Sequence, residues 1–556
     1  MSKTLFWYVM RDLLKVFLMT SVVLAGIMSF GGLLKPLMQY GLSGGQVAQM
    51  LMYFMPATQT WSLPIAALFA TTVVYGRLAA DNELTACRAH GISYLTMALP
   101  AFWLGITLAC VSFACLSFIV PRFTLRAEKV AFQSLADVVQ KNILRSHQLK
   151  LEGFVIYAED AEILPPQAAW PGDEVIRLTG PMFCTYETRV DREERTRLSV
   201  PEEFYTARSA TVVIHQAEDH VEFTAYLEDG MTFPRKFEGA PAEIGGLGTG
   251  QFRSMQLHSP IKENTKFMDL HQLRRYFQNP AETREIRELY RSITQQEQET
   301  TYLNSIAATL KIRKLYEFSD PQGGDGYVLE LEPGVRSLPR GKSKLSFTSG
   351  EVPGTRNIRL IRTKNGQATA TDEARNLSVN VQSDLESKRM QIEFQLGDVA
   401  VVGDEGRPAI SSLHRPLSIP MTPDLLAIDA RGPEFYMHRT QARGDETRGR
   451  LYRKLMGLRN GIESEIHSRA SFAVSCLILV MVGCALGMMF KTGNYLSAFA
   501  LSVVPALLTI ALMITGQHVS ENSVANSLSL GLGLIWAGNV IVFGLAIGLL
   551  GHLRRQ

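Results

Sequence analysis

Apolar residues fall in two blocks separated by a long polar centre. Six runs are long enough for a membrane-spanning helix, which needs about 20 predominantly apolar residues. They are Leu13–Leu34, Ala48–Val74, Leu95–Val120, Ala470–Phe490, Tyr495–Thr515 and Leu528–Leu550. Three precede the polar centre and three follow it. The first run is too long for the apolar stretch of a signal peptide, and no small-residue cleavage site follows it, so it predicts a retained span. The preceding "KTLFWYVMRDLLK" sets Phe6, Trp7 and Met10 beside Lys3, Arg11 and Lys15, a mixture that suits an interfacial helix lying at a membrane surface.

The centre alternates apolar and polar positions with a period of two, the signature of half-buried strands. In "VEFTAYLEDG", Val221, Phe223, Ala225 and Leu227 share a face, and Asp229-Gly230 predicts a turn. "GFVIYAEDAEI", "RLTGPMFCTYE" and "TARSATVVIH" predict further strands of the same system, a sandwich or jelly roll. "MDLHQLRRYFQNP" then predicts a helix, followed by one long polar helix or two. A second strand-rich unit follows, in which "RMQIEFQLGD" puts Met390, Ile392, Phe394 and Leu396 on one face. Duplication of one β unit and two unrelated β units both fit this pattern.

The resulting fold class is an α-helical membrane protein, six transmembrane helices arranged three plus three, with a large exported β-rich, jelly-roll-like domain and helical connectors. Residues 1–121 hold the interfacial helix and the first three spans, with a short polar helix at 78–91. Residues 122–265 form the jelly-roll-like domain and 266–319 a helical connector. Residues 320–428 form an additional, separable β-rich unit, 429–469 a helical return, and 470–556 the last three spans.

Charge sets the orientation. Lys3, Arg11, Lys15, Arg77, Arg88, Lys491, Arg554 and Arg555 fall on one side of the six runs, and the opposite short loops carry little beyond Lys35 and Glu521. Basic residues concentrate in short cytoplasmic loops, so both termini are expected inside and the β-rich region outside. The net charge of +3 and the absence of a basic run exclude nucleic acid as a partner. Of the six cysteines, Cys184 stands alone in the central region, which therefore holds no internal disulfide. No Cys/His spacing suits a metal and no HExxH or GxSxG motif is present. "LPRGKSK" lacks the first glycine of a phosphate-binding loop, since that position is Arg336. Catalytic residues, metal ligands and cofactors are therefore not expected, and the chain reads as a non-enzyme. The spans hold almost no ionisable residues, which signals no proton or ion pathway. Gly483 and Gly487 form one pair at helix-packing spacing, and Gly544 and Gly548 another.

One polar stretch between two spans stands out. In "DNELTACRAHG", Asp81 suits an N-cap, Glu83 a first turn, Arg88 and His90 a last turn, and Gly91 the residue after the C-cap. Locally this is a connector between spans. It is also what a motor protein on the cytoplasmic side would need as a handle.

The stretch "GRLAADNELTACRAHGIS" resembles the coupling segment of the lipopolysaccharide-export permeases, the LptF/LptG (YjgP/YjgQ) family. "WYVMRDLLKVFL" is similar to that family's entry, "IVPRFTLRAEK" to the exit from its third span, and "EGFVIYAEDAE" and "YLEDGMTF" to strands of its jelly roll. "EIHSRASFAVSCLILVMVGCALGMMF" is similar to its fourth span. The resemblance does not cover 320–428, which departs from the usual single jelly roll.

It implies the permease half of an ABC transporter in the inner membrane. A separate, LptB-like cytoplasmic ATPase would bind the ATP and dock on the short helix. There Glu83 matches the family's acidic docking residue and Arg77 and Arg88 its flanking basic residues, with Asp81 beside them. A second LptF/LptG-like permease, or a second copy of this chain, would complete the pair. The substrate would be lipopolysaccharide or a similar glycolipid, passed through the periplasmic domain to an LptC/LptA-like bridge protein. Lys35, Arg122 and Arg126, at the outer ends of the first and third spans, are placed for lipid phosphates; interfacial snorkelling accounts for them equally. Two other classes remain open: a mechanotransmitting ABC permease, which typically carries one span before its exported domain and three after, and a membrane-anchored sensor or adaptor.

Overall fold

The structure is a computed structural model. It describes residues 3–40, 44–124, 126, 135–151, 154–165, 170–171, 173–190, 197–216, 220–234, 245–251, 255–258, 264–319, 325–338, 343–349, 356–364, 367–401, 410–437, 446–490, 495–521 and 527–555. The "KTGN" turn with Lys491 lies outside the described residues.

The chain divides into two compact units, residues 1–274 with 460–556, and residues 275–459. The first holds the membrane helices and one sheet. Helix α1 spans Lys3–Tyr40, α2 Gly44–Ala80, α3 Glu83–Ala89, α4 Tyr94–Met97 and α5 Leu99–Ala114. A π-turn at Cys115–Ile119 extends α5. No separate surface helix precedes the first span. Nothing between Lys3 and Ala25 breaks a helical ladder, so the interfacial stretch and the span form one continuous rod. The third span, by contrast, is interrupted at Ala98, before Pro100 opens α5.

After α6 (Leu135–Ser146) come β1 (Gln148–Leu151), β2 (Phe154–Tyr157), β3 (Asp160–Leu164), β4 (Glu174–Thr179), β5 (Met182–Val190), β6 (Arg197–Thr206), β7 (Ser209–Gln216), β8 (His220–Pro234), β9 (Gly245–Gln251) and β10 (Met255–His258). They pair antiparallel in the order β1-β2-β5-β6-β8-β7-β4-β3, with β9 and β10 also on β8. The sheet curls into a half-barrel. Its inner face carries Ile156, Ile176, Leu178, Ile214, Phe223 and Leu227. Helix α6 covers it with Leu135, Val139 and Ile143. The Ala136 N–H at the start of α6 donates to Glu174 on β4 at 2.8 Å, which supplies one orphan donor of the helix with an acceptor. The expected turn at Asp229-Gly230 is not one. Strand β8 runs unbroken from His220 to Pro234, and Asp229 takes φ 55 inside it, where the pairing with β9 slips register. An Asp-Gly pair serves a bulge as readily as a hairpin, because both need a residue at positive φ.

The second unit begins within helix α7 (Leu270–Gln278) and continues into α8, Arg284–Arg313, one helix rather than two. Strands β11 (Leu315–Ser319), β12 (Asp325–Leu331), β13 (Arg336–Ser337), β14 (Lys344–Thr348), β15 (Ile358–Lys364), β16 (Gln367–Asp384), β17 (Arg389–Val401) and β18 (Ile410–Pro420) form a second antiparallel half-barrel. Their order is β11-β12-β15-β16-β14-β13, with β17 on β16 and β18 on β17. Met390, Ile392, Phe394 and Leu396 of β17 all point inward, as their spacing predicts. Tyr302, Leu303, Ile306 and Leu310 of α8 fill the same core. The expected separable unit, 320–428, falls wholly within this second compact unit, residues 275–459. The strands and α8 bury one another, so a cut at residue 320 would strip the helix of its apolar partners. Helix α9 (Pro423–Asp429) follows the strands, and the unit runs on to Arg459.

Helix α10 runs from Glu446 to Met489, so the helical return and the fourth span are one element of 44 residues. Helices α11 (Tyr495–Ser520) and α12 (Ser527–Arg555) complete the first unit. Six described helices are long and apolar enough to cross a membrane, three before the β region and three after it. Leu553 of α12 shares a buried cluster with Val9 of α1 and Leu84 of α3, which brings both chain ends to the α3 end of the bundle.

Candidate functional site

Helix α3 is short but tightly fixed. At its start Asp81 still belongs to the preceding ladder, its N–H bonded to the Arg77 carbonyl at 2.9 Å. The N-cap is therefore Asn82, not Asp81. It turns the chain at φ 58, a left-handed conformation that asparagine tolerates, and makes no side-chain cap. At the other end the Gly91 N–H reaches the Arg88 carbonyl at 2.8 Å and the Ile92 N–H reaches Cys87 at 3.1 Å. With Gly91 at φ 78 this is a Schellman stop, as the sequence predicts.

Side chains lock the helix to its neighbours. Leu84 is buried among Leu5, Val9, Leu78 and Met97. Glu83, half-buried, accepts from the Tyr8 hydroxyl of α1 at 3.4 Å. Arg77 pairs with Asp12 of α1. Arg88 donates to the Tyr94 hydroxyl at 3.1 Å and stacks over its ring at 4.7 Å. Thr85, Ala86, Arg88, Ala89 and His90 stay exposed. Arg77, Asp81, Glu83 and Arg88 thus lie together, and both arginines already have partners within the chain. What faces outward is a small, rigid, polar surface on an apolar footing.

The residues expected at the opposite ends of the spans are less constrained. Arg122 and Arg126 are exposed, and Arg126 lies over the Phe123 ring at 5.7 Å. Lys35 falls in α1, and its side chain lies outside the described residues.

Behind α3, α2 packs against α10 with almost no gap. A Cβ built on Gly483 would lie 2.8 Å from the Leu68 carbonyl oxygen, and one on Gly487 would lie 2.8 Å from that of Thr72. Gly544 and Gly548, with the same spacing, meet nothing within 4 Å among the described residues. The first pair is an internal helix contact and the second is not.

Sequence reasoning missed a cluster at the middle of α10. Arg469 is the largest fully buried side chain among the described residues. Its Nε donates to Glu465 at 2.8 Å. Its Nη2 donates to the carbonyls of Met268 at 2.8 Å, and of Thr265 and Lys266 at 3.3 Å each, in the segment that leaves the first sheet. The second Glu465 oxygen accepts from Gln517 of α11 at 3.1 Å. Between Glu465 and Arg469 in sequence, His467 accepts from the Trp536 indole of α12 at 3.2 Å. Ser471 donates to the Ile535 carbonyl at 2.8 Å and accepts from Asn539 at the same distance. A charge taken out of water needs such a set of partners. The signal was present in "EIHSRAS": a Glu and an Arg four apart, on one helix face, abutting an apolar run.

A family model described as the lipopolysaccharide export system permease LptF/LptG matches residues 7–163 and 360–552. The match takes in α1 to α6, the first three strands, β15 to β18 and α9 to α12, and leaves 164–359 outside. It therefore includes 360–428, part of the additional β-rich unit expected from the sequence. No curated protein matches the chain.

Proposed function

Because the chain belongs to the lipopolysaccharide export system permease LptF/LptG family, we propose that it is the membrane subunit of an ABC transporter. It draws lipopolysaccharide, or a glycolipid like it, from the inner membrane and passes it to a periplasmic bridge. In this reading both termini and α3 are cytoplasmic, and the two sheets are periplasmic. A second permease, of this chain or of its kind, completes the transport path.

The observation that carries the reading is α3 itself. A seven-residue helix with a Schellman stop, a buried Leu84 and polar ties from α1 is stiffer than a connector requires. Stiffness is what a docking surface needs if the push of an ATPase is to reach the spans. The three-plus-three arrangement speaks against the mechanotransmitting class, which would place its spans unevenly about the exported domain. Arg122 and Arg126, with Lys35, would meet the lipid phosphates. A guanidinium bonds phosphate through a planar fork, and an ammonium as a point charge.

Glu83→Lys tests the reading. A first-turn glutamate contributes about 0.3–1 kcal/mol to its own helix, so the variant should insert and keep its sheets folded. Losing one member of a desolvated interfacial charge pair costs roughly 2–5 kcal/mol. Co-purification of the ATPase should therefore fall by about 30-fold or more. ATPase binding at the wild-type level would return α3 to the status of a connector.

A further inference from the structure

We propose that Glu465 and Arg469, with Gln517, form the joint that carries the motion of α3 to the exported side, and that they act as positioning residues for lipid transfer. This rests on the reading of α3 as the ATPase docking helix.

The path is continuous within the first unit. Only Asp81 and Asn82 separate α3 from α2. Helix α2 touches α10 backbone to backbone at Gly483 and Gly487, where even a methyl group would fall 2.8 Å from a carbonyl oxygen. Neither helix has room to slide there. From Gly487 to Arg469 the helix is unbroken, a rod of about 27 Å. At its far end Arg469 holds three carbonyls of the segment leaving the first sheet.

The two arms of the joint differ in strength. Toward the sheet, a guanidinium with side-chain exposure of 1% makes charge-assisted bonds to three carbonyls. Toward α11, Glu465 takes one bond from a neutral amide at 3.1 Å. When α10 and α11 move apart, the Gln517 bond yields first and the exit segment stays with α10. The joint therefore lets α11 shift past α10 while the base of the sheet follows the stroke.

Hydrogen exchange on the full permease–ATPase complex in lipid discs, with and without vanadate-trapped nucleotide, tests this. Trapping should change exchange at residues 264–269 of the wild type by about fivefold or more. Arg469→Lys, which keeps the charge and loses the fork, should abolish that change while the ATPase still binds and hydrolyses ATP. Glu465→Gln, nearly isosteric, reads the same arm if Arg469→Lys fails to fold. Gln517→Leu should keep the change at 264–269 and lose the accompanying change at 513–520 of α11. An unresponsive exit segment in the wild type with ATPase bound, or a full response in both Arg469→Lys and Glu465→Gln, overturns the joint alone. Loss of the exit-segment response in Gln517→Leu overturns the two-arm assignment. An ATPase that never binds the wild type overturns the docking reading, and the joint with it.

Discussion

Two glycine pairs with identical spacing should respond differently to one added methyl group. In Gly487→Ala the new Cβ would meet the Thr72 carbonyl oxygen at 2.8 Å, the Tyr75 Cβ at 3.0 Å and the Gly76 nitrogen at 3.1 Å, all on α2. Ordinary carbon contacts lie at about 3.5–4.0 Å, so the two helices must separate by roughly 0.5–1 Å at that level. Two of the three atoms are backbone and cannot swing aside. Forcing a methyl group into packed space costs about 1–3 kcal/mol, and this site belongs in the upper half of that range. Gly548→Ala, with nothing within 4 Å among the described residues, should stay within about 0.5 kcal/mol of the wild type. Reversible unfolding from micelles by added detergent, followed by circular dichroism, reads both variants. Buried Cys484 lies beside the contact and gives a local readout. Its labelling by a thiol reagent should quicken in Gly487→Ala and stay slow in Gly548→Ala. Equal costs for the two variants, or a neutral Gly487→Ala, would refute the packing argument.

Asp372 in the second sheet has 3% side-chain exposure and takes both arms of Arg415, at 3.0 and 3.3 Å. Arg415→Met should cost about 3 kcal/mol in thermal or denaturant unfolding, and adding Asp372→Leu should recover most of it, because the stranded charge is the larger part of the loss. Glu174 has its carboxyl pushed above the ordinary range, chiefly by burial, against the pull of the Ala136 N–H. A carboxyl raised on folding adds stability below its unfolded pKa and loses it as pH rises through the raised folded value. Glu174→Gln should therefore be no less stable than wild type at neutral pH and should lose that standing relative to wild type as pH falls through the raised value. Cys87 should react with an impermeant thiol reagent only after spheroplasts are lysed. Cys184 is buried and should react on neither side until the sheet unfolds.

What the sequence showed well was whatever depends on local period. Met390, Ile392, Phe394 and Leu396 alternate, and all four are buried. Apolar length marked the six spans, and Gly91 marked the end of α3. Where two structures share one local pattern, the sequence did not choose. Asp229-Gly230 suits a turn or a bulge, and only the pairing of β8 with β9 decides. Asp81 is a good N-cap, but α2 kept its ladder one residue longer and passed that place to Asn82. Both glycine pairs read alike until a partner helix was seen on one and not the other. The Arg469 cluster lay furthest from view, because its acceptors sit about two hundred residues upstream, on carbonyls that carry no residue-specific signal.

The family match also changes what the enlarged β region is. It ends at residue 163, within β3 (Asp160–Leu164), and resumes at residue 360, within β15 (Ile358–Lys364). Strand β3 ends the path of the first sheet, and β15 lies between β12 and β16 in the second. The family-like strands are thus shared between the two sheets, β1 to β3 in one and β15 to β18 in the other. The intervening 164–359 supplies the remaining strands of both, together with α8. Neither sheet is an appendage to the other, and each buries its family-like strands against strands that are not. Hydrophobic burial is cooperative over a whole core: Ile156 of β2 needs Ile176 and Ile214, and Phe394 of β17 needs Phe318 and Tyr327. Added sequence of this kind cannot be trimmed back to a single half-barrel without opening both cores. The base of the first sheet, where Arg469 takes hold, stands on matched helix and unmatched exit segment together.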